Sequence, residues 1–257
     1  MQEAATSSGD APRRAARLEE FRFIFVVTYA RSGSTLMQSL LNSVPGVQIR
    51  GENDNLLYHL FRVFQATEAI RRSADAFVTH ESDRPWYGAR EARTRIFEGN
   101  LLNNFLRNIL VPSAGVRVVG FKEIRSNRKY IPDDLFAPYR DFLLSQFPGA
   151  RIVFNSRRAD DVAVSAWLAK KDREQTVALV RSADARFASY AARRPDRAIH
   201  MQYEDYTADH TRIHRMMRFL ELEFAPEAIE AVFAKPLEHG QKRATARRRI
   251  ATPRKPA

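Results

Sequence analysis

The most informative part of the chain is residues 21–42, which read FRFIFVVTYARSGSTLMQSLLN. The segment opens with a near-continuous apolar run rich in aromatic and β-branched residues, which is typical of a strand buried on both faces. A polar loop with one glycine follows, and Leu36, Leu40 and Leu41 then recur at helical spacing. Strand, tight loop and helix in this order predict the opening of a βαβ unit.

The rest of the chain repeats this alternation. Three further strands are predicted at 116–121 (VRVVGF), 151–155 (RIVFN) and 198–203 (AIHMQY). Helical patterns occupy 53–72, 90–110, 133–146, 160–170, 174–192, 207–220 and 226–234. We therefore predict an α/β fold, a three-layer sandwich with a central, mainly parallel sheet and helices on both faces. Ligands of such sheets bind beyond the carboxyl ends of the strands, so the residues just after each strand are the candidates for a site.

Charge divides the chain into three regions. Its 257 residues carry 42 Lys+Arg against 30 Asp+Glu, a formal net charge of +12. Residues 241–257 hold seven basic residues and no acidic one, whereas residues 1–20 have a net charge of −1. We predict a disordered lead-in over 1–20, a single domain over 21–240 and a basic tail over 241–257. The positive balance favours an acidic partner, such as a nucleotide, a nucleic acid, an anionic glycan or a membrane surface.

Several classes of protein are excluded by what the sequence lacks. Cysteine is absent, which rules out disulfides, thiolate nucleophiles, zinc fingers and iron–sulfur clusters. No apolar run approaches the roughly 18 residues of a membrane span, and the amino terminus has no apolar signal region. We therefore expect a cytoplasmic protein without a transmembrane segment. The sequence gives no indication of oligomeric state.

The loop over residues 30–35, ARSGST, has the chemistry of an anion site. Gly33 permits a sharp turn, the hydroxyls of Ser32, Ser34 and Thr35 are donors, and the following amides lie at a helix amino terminus. Arg31 adds a forked charge suited to phosphate or sulfonate oxygens. The alternative is an ordinary helix cap with a solvated arginine. The loop lacks the first glycine and the Lys of a Walker A sequence, which argues against an ATPase or GTPase.

Three segments together resemble the sulfotransferase family that uses 3′-phosphoadenosine 5′-phosphosulfate (PAPS). Residues 27–53 resemble its 5′-phosphosulfate loop, residues 151–167 its 3′-phosphate motif, and residues 201–222 its Tyr-Glu-Asp segment with the helix that follows. The segments occur in the family's order, and the branch they resemble includes carbohydrate and tyrosylprotein sulfotransferases. The resemblance implies a P-loop nucleotide-hydrolase-like sulfotransferase fold and sulfuryl transfer from PAPS, which leaves 3′-phosphoadenosine 5′-phosphate (PAP).

The resemblance also implies roles for donor-binding residues. Arg31 would contact the 5′-phosphate and the sulfonate, and the 5′-phosphate would be cradled by Ser32, Gly33, Ser34 and Thr35. Arg157 and Ser165 would bind the 3′-phosphate, with Ser165 two turns into the helix after the strand. Tyr203 would lie near the adenosine. The alternatives are a surface salt bridge for Arg157, a core position for Tyr203, and the adjacent Arg158 in the place of Arg157.

Catalysis needs a base and a cation at the sulfonate. The resemblance gives the general base as Glu52 and the sulfonate ligand as Lys122, assisted by Arg31. Glu123 is the competing carboxylate. A Glu that favours the start of a helix and a Lys that extends from a strand end to solvent are the alternative interpretations. His200, inside a predicted strand, is expected to be structural. The chemistry requires no metal.

The acceptor is less well defined. The branch and the cationic excess favour a carbohydrate hydroxyl, including that of an anionic carbohydrate, with a peptide tyrosine, a lipid or a small metabolite as alternatives. We expect residues 73–115 to contribute to the acceptor pocket. Residues 239–244, HGQKRA, lack the Arg-Lys-Gly order with which cytosolic members cover the 3′-phosphate, so Lys242 and Arg243 are only candidates for that role.

Two other functions are compatible with parts of the sequence. A small-molecule P-loop kinase would share the fold, but it would need the missing Walker Lys. A nucleic-acid-binding protein would explain the basic tail. The tail has no aromatic residue to stack on bases, so we expect no specific nucleic-acid partner.

Overall fold

The computed structural model describes residues 16–77 and 81–235. Its sheet contains five parallel strands in the order β2-β3-β1-β4-β5. The strands are β1 (Arg22–Val27), β2 (Val47–Arg50), β3 (Val118–Glu123), β4 (Arg151–Ser156) and β5 (Ala198–Gln202). The register pairs Arg22 with Val118 on one side of β1 and Ile24 with Arg151 on the other.

Helices connect consecutive strands and end the described chain. They are α1 (Ser34–Asn42), α2 (Leu56–Ala76), α3 (Thr94–Phe105), α4 (Asp133–Gln146), α5 (Ala159–Ala163), α6 (Arg173–Arg193), α7 (Tyr203–Ala208), α8 (Thr211–Phe219) and α9 (Pro226–Phe233). Short helical segments of other types are Leu18–Glu20, Ala89–Glu91, Leu106–Leu110 and Ala166–Lys170. Among the described helices, none is long and apolar enough to cross a membrane.

The buried residues of β1 explain why it lies in the middle of the sheet. Phe23 and Phe25 pack into one hydrophobic core with residues of α2, α3, α4 and α6, whereas Ile24 and Val26 pack into a second core with α1, α8 and α9. A strand with apolar side chains on both faces is stable only when both faces are covered. The predicted three-layer architecture with a mainly parallel sheet is confirmed.

The predicted elements differ most from the structure at three places. Strand β2 is absent from the prediction, because its four residues read VQIR and alternate apolar with polar. The helix predicted over 160–170 is wrong: α5 ends at Ala163, and a separate 3₁₀ turn covers Ala166–Lys170. The helix predicted over 207–220 is two helices, α7 and α8, and α7 begins at Tyr203, directly after β5.

The predicted domain limits are only partly within the described residues. The chain packs against the core from Ala16, and Leu18 is buried, so the folded part begins slightly before residue 21. The candidate cover residues Lys242 and Arg243 and the basic tail lie outside the described residues, as do residues 1–15 of the lead-in.

The strand order identifies the position at which parallel α/β sheets bind their ligands. Strand β1 lies between β3 and β4, and the chain leaves β1 toward β2 on one side before it later reaches β4 on the other. The carboxyl end of β1 is thus the position at which the strand order reverses. The loop after β1 is the polar sequence ARSGST, the predicted anion site.

Candidate active site

The loop after β1 turns sharply through two left-handed residues. Arg31 has φ 66° and Gly33 has φ 78°, and Gly33 is the N-cap of α1. A Cβ atom at Gly33 would lie 2.1 Å from the Tyr203 ring, so both the backbone angle and the space require glycine. The amides of Ser34 and Thr35, in the first turn of α1, have no acceptor within the helix. Free amides at a helix amino terminus are suited to bind an anion.

Ser32 contributes to this loop through its backbone and not through its hydroxyl. Its side chain is fully buried, with Oγ 2.6 Å from the Thr28 hydroxyl, and its carbonyl accepts a hydrogen bond from Asn155 Nδ2 at 2.8 Å. The hydroxyl therefore faces the interior, contrary to the expectation that it would be a donor to a phosphate. The hydroxyls at the open side of the loop are those of Ser34 and Thr35.

A cavity of about 600 Å³ opens above the loop, at the carboxyl edge of the sheet. Its wall contains eight of the ten residues that the sequence analysis selected: Arg31, Gly33, Ser34, Thr35, Glu52, Lys122, Arg157 and Tyr203. These residues follow the five strands or lie near their ends. The fold therefore brings together the predicted phosphate, sulfonate and base groups.

Glu52 and Lys122 form an ion pair in this cavity. The Lys122 ammonium lies 2.8 Å from Glu52 Oε1. The Lys122 side chain is 8% exposed and that of Glu52 is 37% exposed, so the carboxylate is the member of the pair that solvent or a substrate can reach. Glu52 lies two residues after β2, and Lys122 is near the end of the adjacent β3.

Glu123, the competing carboxylate, has a structural role. It is 3% exposed, and its two oxygens accept backbone hydrogen bonds from Asn55 at 2.9 Å and from Arg125 at 3.0 Å. Asn55 is itself left-handed, with φ 57°. Glu123 thus holds the loop after β2 against the end of β3, and does not line the cavity.

Arg157 points back at the loop after β1. Its Nη1 donates to the Arg31 carbonyl at 3.3 Å, and its guanidinium lies 4.8 Å from the centre of the Tyr203 ring. The adjacent Arg158 has an exposed side chain that does not line the cavity, and its backbone N–H donates to the Glu204 carboxylate at 3.1 Å. The geometry therefore groups Arg157, and not Arg158, with the loop.

Ser165 also contacts the loop, but from a different local structure than expected. The prediction that it lies two turns into a helix is wrong, because it follows the end of α5 and precedes the 3₁₀ turn. Its Oγ accepts a hydrogen bond from Arg31 Nε at 2.9 Å. Arg31 thus lies between Arg157 and Ser165, the two residues selected for the 3′-phosphate.

A buried network behind Arg157 was not selected from the sequence. The Tyr29 hydroxyl accepts the Arg157 backbone N–H at 2.9 Å and donates to Asp184 at 2.8 Å. Asp184 also accepts from the Ser156 hydroxyl at 2.5 Å. Burial raises the pKa of Asp184, an effect that the hydrogen bonds from Ser156 and Tyr29 oppose. Tyr29 is next to the polar loop in sequence, but Asp184 lies inside α6 and has no local signal.

His200 belongs to the same network. Its Nε2 lies 2.7 Å from Ser156 Oγ, and burial lowers its pKa. The single Ser156 proton is used for the Asp184 carboxylate, so we assign the donor role in this contact to His200 Nε2. The imidazole does not line the cavity, in agreement with the expected structural role.

A second cavity, of about 550 Å³, adjoins the first. The two share Ala30, Ile124, Arg125 and Trp167. Residues 73–115 were expected to contribute to an acceptor pocket, but none of their described members lines either cavity.

A larger cavity, of about 930 Å³, lies at the opposite edge of the sheet, near the starts of the strands. Its wall includes the carboxylates of Glu19, Glu20, Glu221 and Glu223 besides two arginines. An acidic wall at this edge does not suit an anionic donor. In the described part of the chain, no group of three or more acidic or imidazole side chains is arranged to hold a metal ion.

Comparisons with known proteins extend this description. A family model described as "Sulfotransferase family" matches residues 24–226. The sulfotransferase domain of the Synechococcus PCC 7002 olefin synthase matches with a TM-score of 0.51 and 15% identity, over 90% of this chain and 82% of that one. The mouse sulfotransferase SULT7A1 in complex with PAP has a TM-score of 0.43 and 13% identity, over 85% of this chain and 63% of that one. The olefin synthase domain shares the fold. No curated protein sequence matches significantly.

Proposed function

The chain belongs to the sulfotransferase family, and from that premise we propose that it transfers the sulfuryl group of PAPS to an acceptor hydroxyl by in-line displacement. The observation that carries this proposal is the convergence of three groups on one cavity. They are the Arg31 loop with the amino end of α1, the Arg157 guanidinium, and the Lys122–Glu52 pair.

The donor requires anion sites at two places. The 5′-phosphosulfate suits the free amides of the first turn of α1, the hydroxyls of Ser34 and Thr35, and Arg31, because helix amino termini and guanidinium groups both bind phosphate oxygens. The 3′-phosphate suits Arg157 and Ser165. In the present structure Arg31 donates to Ser165, so donor binding exchanges this internal hydrogen bond for contacts to the nucleotide.

The transfer step follows from the positions of Glu52 and Lys122. The acceptor oxygen forms a new bond to sulfur while the bond between sulfur and the bridging oxygen of the 5′-phosphate breaks, and the product nucleotide leaves as PAP. Glu52 takes the acceptor proton, a role that requires a reachable carboxylate. Charge develops on the sulfonate and on the bridging oxygen, where the Lys122 ammonium and the Arg31 guanidinium are electrostatically favourable.

For the acceptor we propose a hydroxyl of an acidic carbohydrate. Glu52 has the position of the base in the branch that includes carbohydrate sulfotransferases. The adjoining cavity supplies cations, including Arg125 and Lys171. A P-loop kinase would need a Lys before Ser34 or Thr35, and this loop has Gly33 and Ser34 at those positions.

Calorimetry with PAP and with ATP, both without magnesium, tests the donor assignment. We expect PAP to bind clearly and ATP to bind poorly, because ATP lacks the 3′-phosphate that Arg157 and Ser165 would hold. Tight ATP binding combined with weak PAP binding would favour the kinase and overturn the proposal.

A further inference from the structure

We propose that the second cavity binds the acceptor, and that this acceptor is an amphipathic acid: a hydroxyl compound with an apolar or aromatic portion and an anionic group. The inference rests on the proposed function and narrows its substrate. An acidic sugar that carries an apolar aglycone meets all of its requirements.

The position of the cavity gives the first reason. Ala30, Ile124, Arg125 and Trp167 line both cavities, so the second opens directly beside the one that holds Glu52 and Lys122. An acceptor in the second cavity can therefore present a hydroxyl across the common boundary to the first cavity, whose wall holds Glu52 and Lys122. A volume of about 550 Å³ is within the range that holds a small organic molecule.

The floor of this cavity is apolar. Its buried apolar members are Tyr29, Val162 and Val180, which are between 1% and 5% exposed, and Asn127 is its one buried polar member among the described residues. Ile124, Leu168 and Leu179 are half-buried around them. A fully hydrophilic ligand would gain little from this surface, whereas an aliphatic or aromatic portion would remove it from water.

The rim carries aromatic rings and cations. Trp167 is 54% exposed and Tyr130 is 42% exposed, and the Lys129 ammonium lies 5.9 Å from the centre of the Tyr130 ring. Lys129 and Lys171 are also exposed, and neither forms an ion pair with another described residue. These two ammonium groups are available to an anionic ligand.

The other charges of the rim are already paired. Arg125 forms a 2.8 Å ion pair with Asp54, and the Asp172 carboxylate caps α6 by accepting the Gln175 backbone N–H at 2.8 Å. The electrostatic effect of these two paired charges on a ligand is therefore reduced. The free positive charge at the mouth of the cavity comes from Lys129 and Lys171, and this distinguishes an acidic acceptor from a neutral one.

Four glycosides separate the two features of the proposed acceptor. They are 4-nitrophenyl β-glucuronide, which has both the ring and the acid, 4-nitrophenyl β-glucoside, methyl β-glucuronide and methyl β-glucoside. Their dissociation constants are measured by calorimetry on the full chain saturated with PAP. We expect the nitrophenyl glucuronide to bind about tenfold tighter than either compound with one feature, since a hydrogen bond to a charged group contributes on this scale.

The double variant Lys129→Gln/Lys171→Gln identifies the source of the charge preference. We expect it to bind the nitrophenyl glucuronide and the nitrophenyl glucoside equally. Lys170→Gln is the matched control, because Lys170 is exposed and adjacent to Lys171 but does not line the cavity, and it should keep the preference.

Three results would overturn the inference: equal binding of the acid and the neutral glycoside to the unmodified protein, an unchanged preference in the double variant, or no binding of any of the four while PAP binds normally. In each case PAP binding would leave sulfuryl transfer from PAPS standing as the proposed reaction. Failure of PAP itself to bind would contradict the proposed function and, with it, this inference.

Discussion

Glu52 and Lys122 illustrate how single residues obtain their roles from neighbouring strands. They follow or end β2 and β3, which are adjacent in the sheet, and their charged atoms are 2.8 Å apart. Each residue alone has an ordinary structural explanation. The ion pair at the wall of the cavity favours a joint role in the reaction, because it places a reachable carboxylate next to a buried ammonium group.

Replacing the carboxylate tests its role as the base. Glu52→Gln keeps the size of the side chain and a hydrogen-bond acceptor for Lys122, but removes the carboxylate proposed to take the acceptor proton. We expect kcat to fall by about 10²- to 10⁴-fold, with PAP affinity unchanged, as measured by a transfer assay with labelled PAPS and by calorimetry. A variant that retains full turnover would exclude Glu52 as the base.

Tyr29 is placed to position Arg157 in the proposed donor site. Because its hydroxyl accepts the Arg157 backbone N–H and is anchored by Asp184, Tyr29→Phe should let Arg157 move. We expect PAP affinity to fall by about 3- to 10-fold, the scale of one lost hydrogen bond, while affinity for AMP, which has no 3′-phosphate, stays the same.

Tyr87→Phe is the control for this measurement, because Tyr87 is exposed and lines neither cavity of the site. An equal loss of PAP and AMP affinity in Tyr29→Phe would indicate general disorder of the loop and contradict a positioning role for Tyr29.

The residues that could be selected from the sequence are those with a local pattern. Arg31 and Gly33 lie in a polar loop between a strand and a helix, and Arg157 follows a strand. The inward orientation of the Ser32 hydroxyl could not be inferred, because its partner Thr28 is itself hydrogen-bonded to the carbonyl of the distant Asn155. Asp184 was missed for a similar reason, since its partners Tyr29 and Ser156 are far from it in the sequence.

At the level of secondary structure, the close approach of β1 and β3 depends on Gly120. A Cβ atom there would lie 1.7 Å from the Ile24 carbonyl oxygen. We expect Gly120→Ala to lower the free energy of unfolding by about 3 kcal/mol or more, because the backbone of a central strand would have to move. Urea unfolding measures this change.

Gly99→Ala is the matched control for the same experiment. Gly99 lies inside α3, and a Cβ atom there would meet nothing within 4 Å. Since Ala favours the helix more than Gly, we expect the free energy of unfolding to rise by up to about 1 kcal/mol. Similar effects of the two substitutions would contradict the role assigned to Gly120.

Strand β5 adds a pH dependence to the stability. Burial lowers the pKa of His200, so the unfolded chain binds more protons than the folded protein below about pH 6.5, the pKa of an exposed histidine. Stability from this group is thus present above pH 6.5 and is lost as the pH falls through the lowered pKa. Burial raises the pKa of Asp184, so this group lowers the free energy of unfolding as the pH rises above the ordinary pKa of an aspartate.

Comparison with His200→Gln isolates the histidine. We expect the free energy of unfolding of the unmodified protein to decrease more steeply between pH 6.5 and 5 than that of the variant, in urea titrations at each pH. Parallel curves for the two proteins would show that His200 is not the responsible group.

Elements with strong periodicity could be predicted, and those that depend on packing could not. The four apolar strands were found within two residues of their ends. Strand β2 was missed because four residues with two polar side chains give little signal, and it is recognised only by its pairing with β3. The break at Ser165 is also tertiary in origin, since Ala166 has φ 51° and Arg31 bonds to Ser165.

For the whole molecule, the sheet order explains why distant segments form one site. With β1 between β3 and β4, the carboxyl ends of β1, β3 and β4 meet at the edge where the strand order reverses. The parallel sheet and this edge could be predicted from the alternation of strands and helices. The order β2-β3-β1-β4-β5 could not, because it is fixed by contacts between strands far apart in the chain.

The central claim is that this edge of the sheet binds a nucleotide with a 3′-phosphate, and that Arg157 recognises this group. Calorimetry with PAP and with AMP measures the contribution of the 3′-phosphate as the ratio of the two affinities, in the unmodified protein, in Arg157→Ala and in Arg158→Ala. Arg158→Ala is the control, because Arg158 is adjacent to Arg157 but is exposed and does not line the cavity.

We predict that PAP binds about 10- to 100-fold tighter than AMP to the unmodified protein and to Arg158→Ala, the range expected for hydrogen bonds to a charged group. In Arg157→Ala the ratio should approach one, while retained AMP binding shows that the loop is still folded. A ratio that is unchanged in Arg157→Ala, or that is lost in Arg158→Ala instead, would contradict the account.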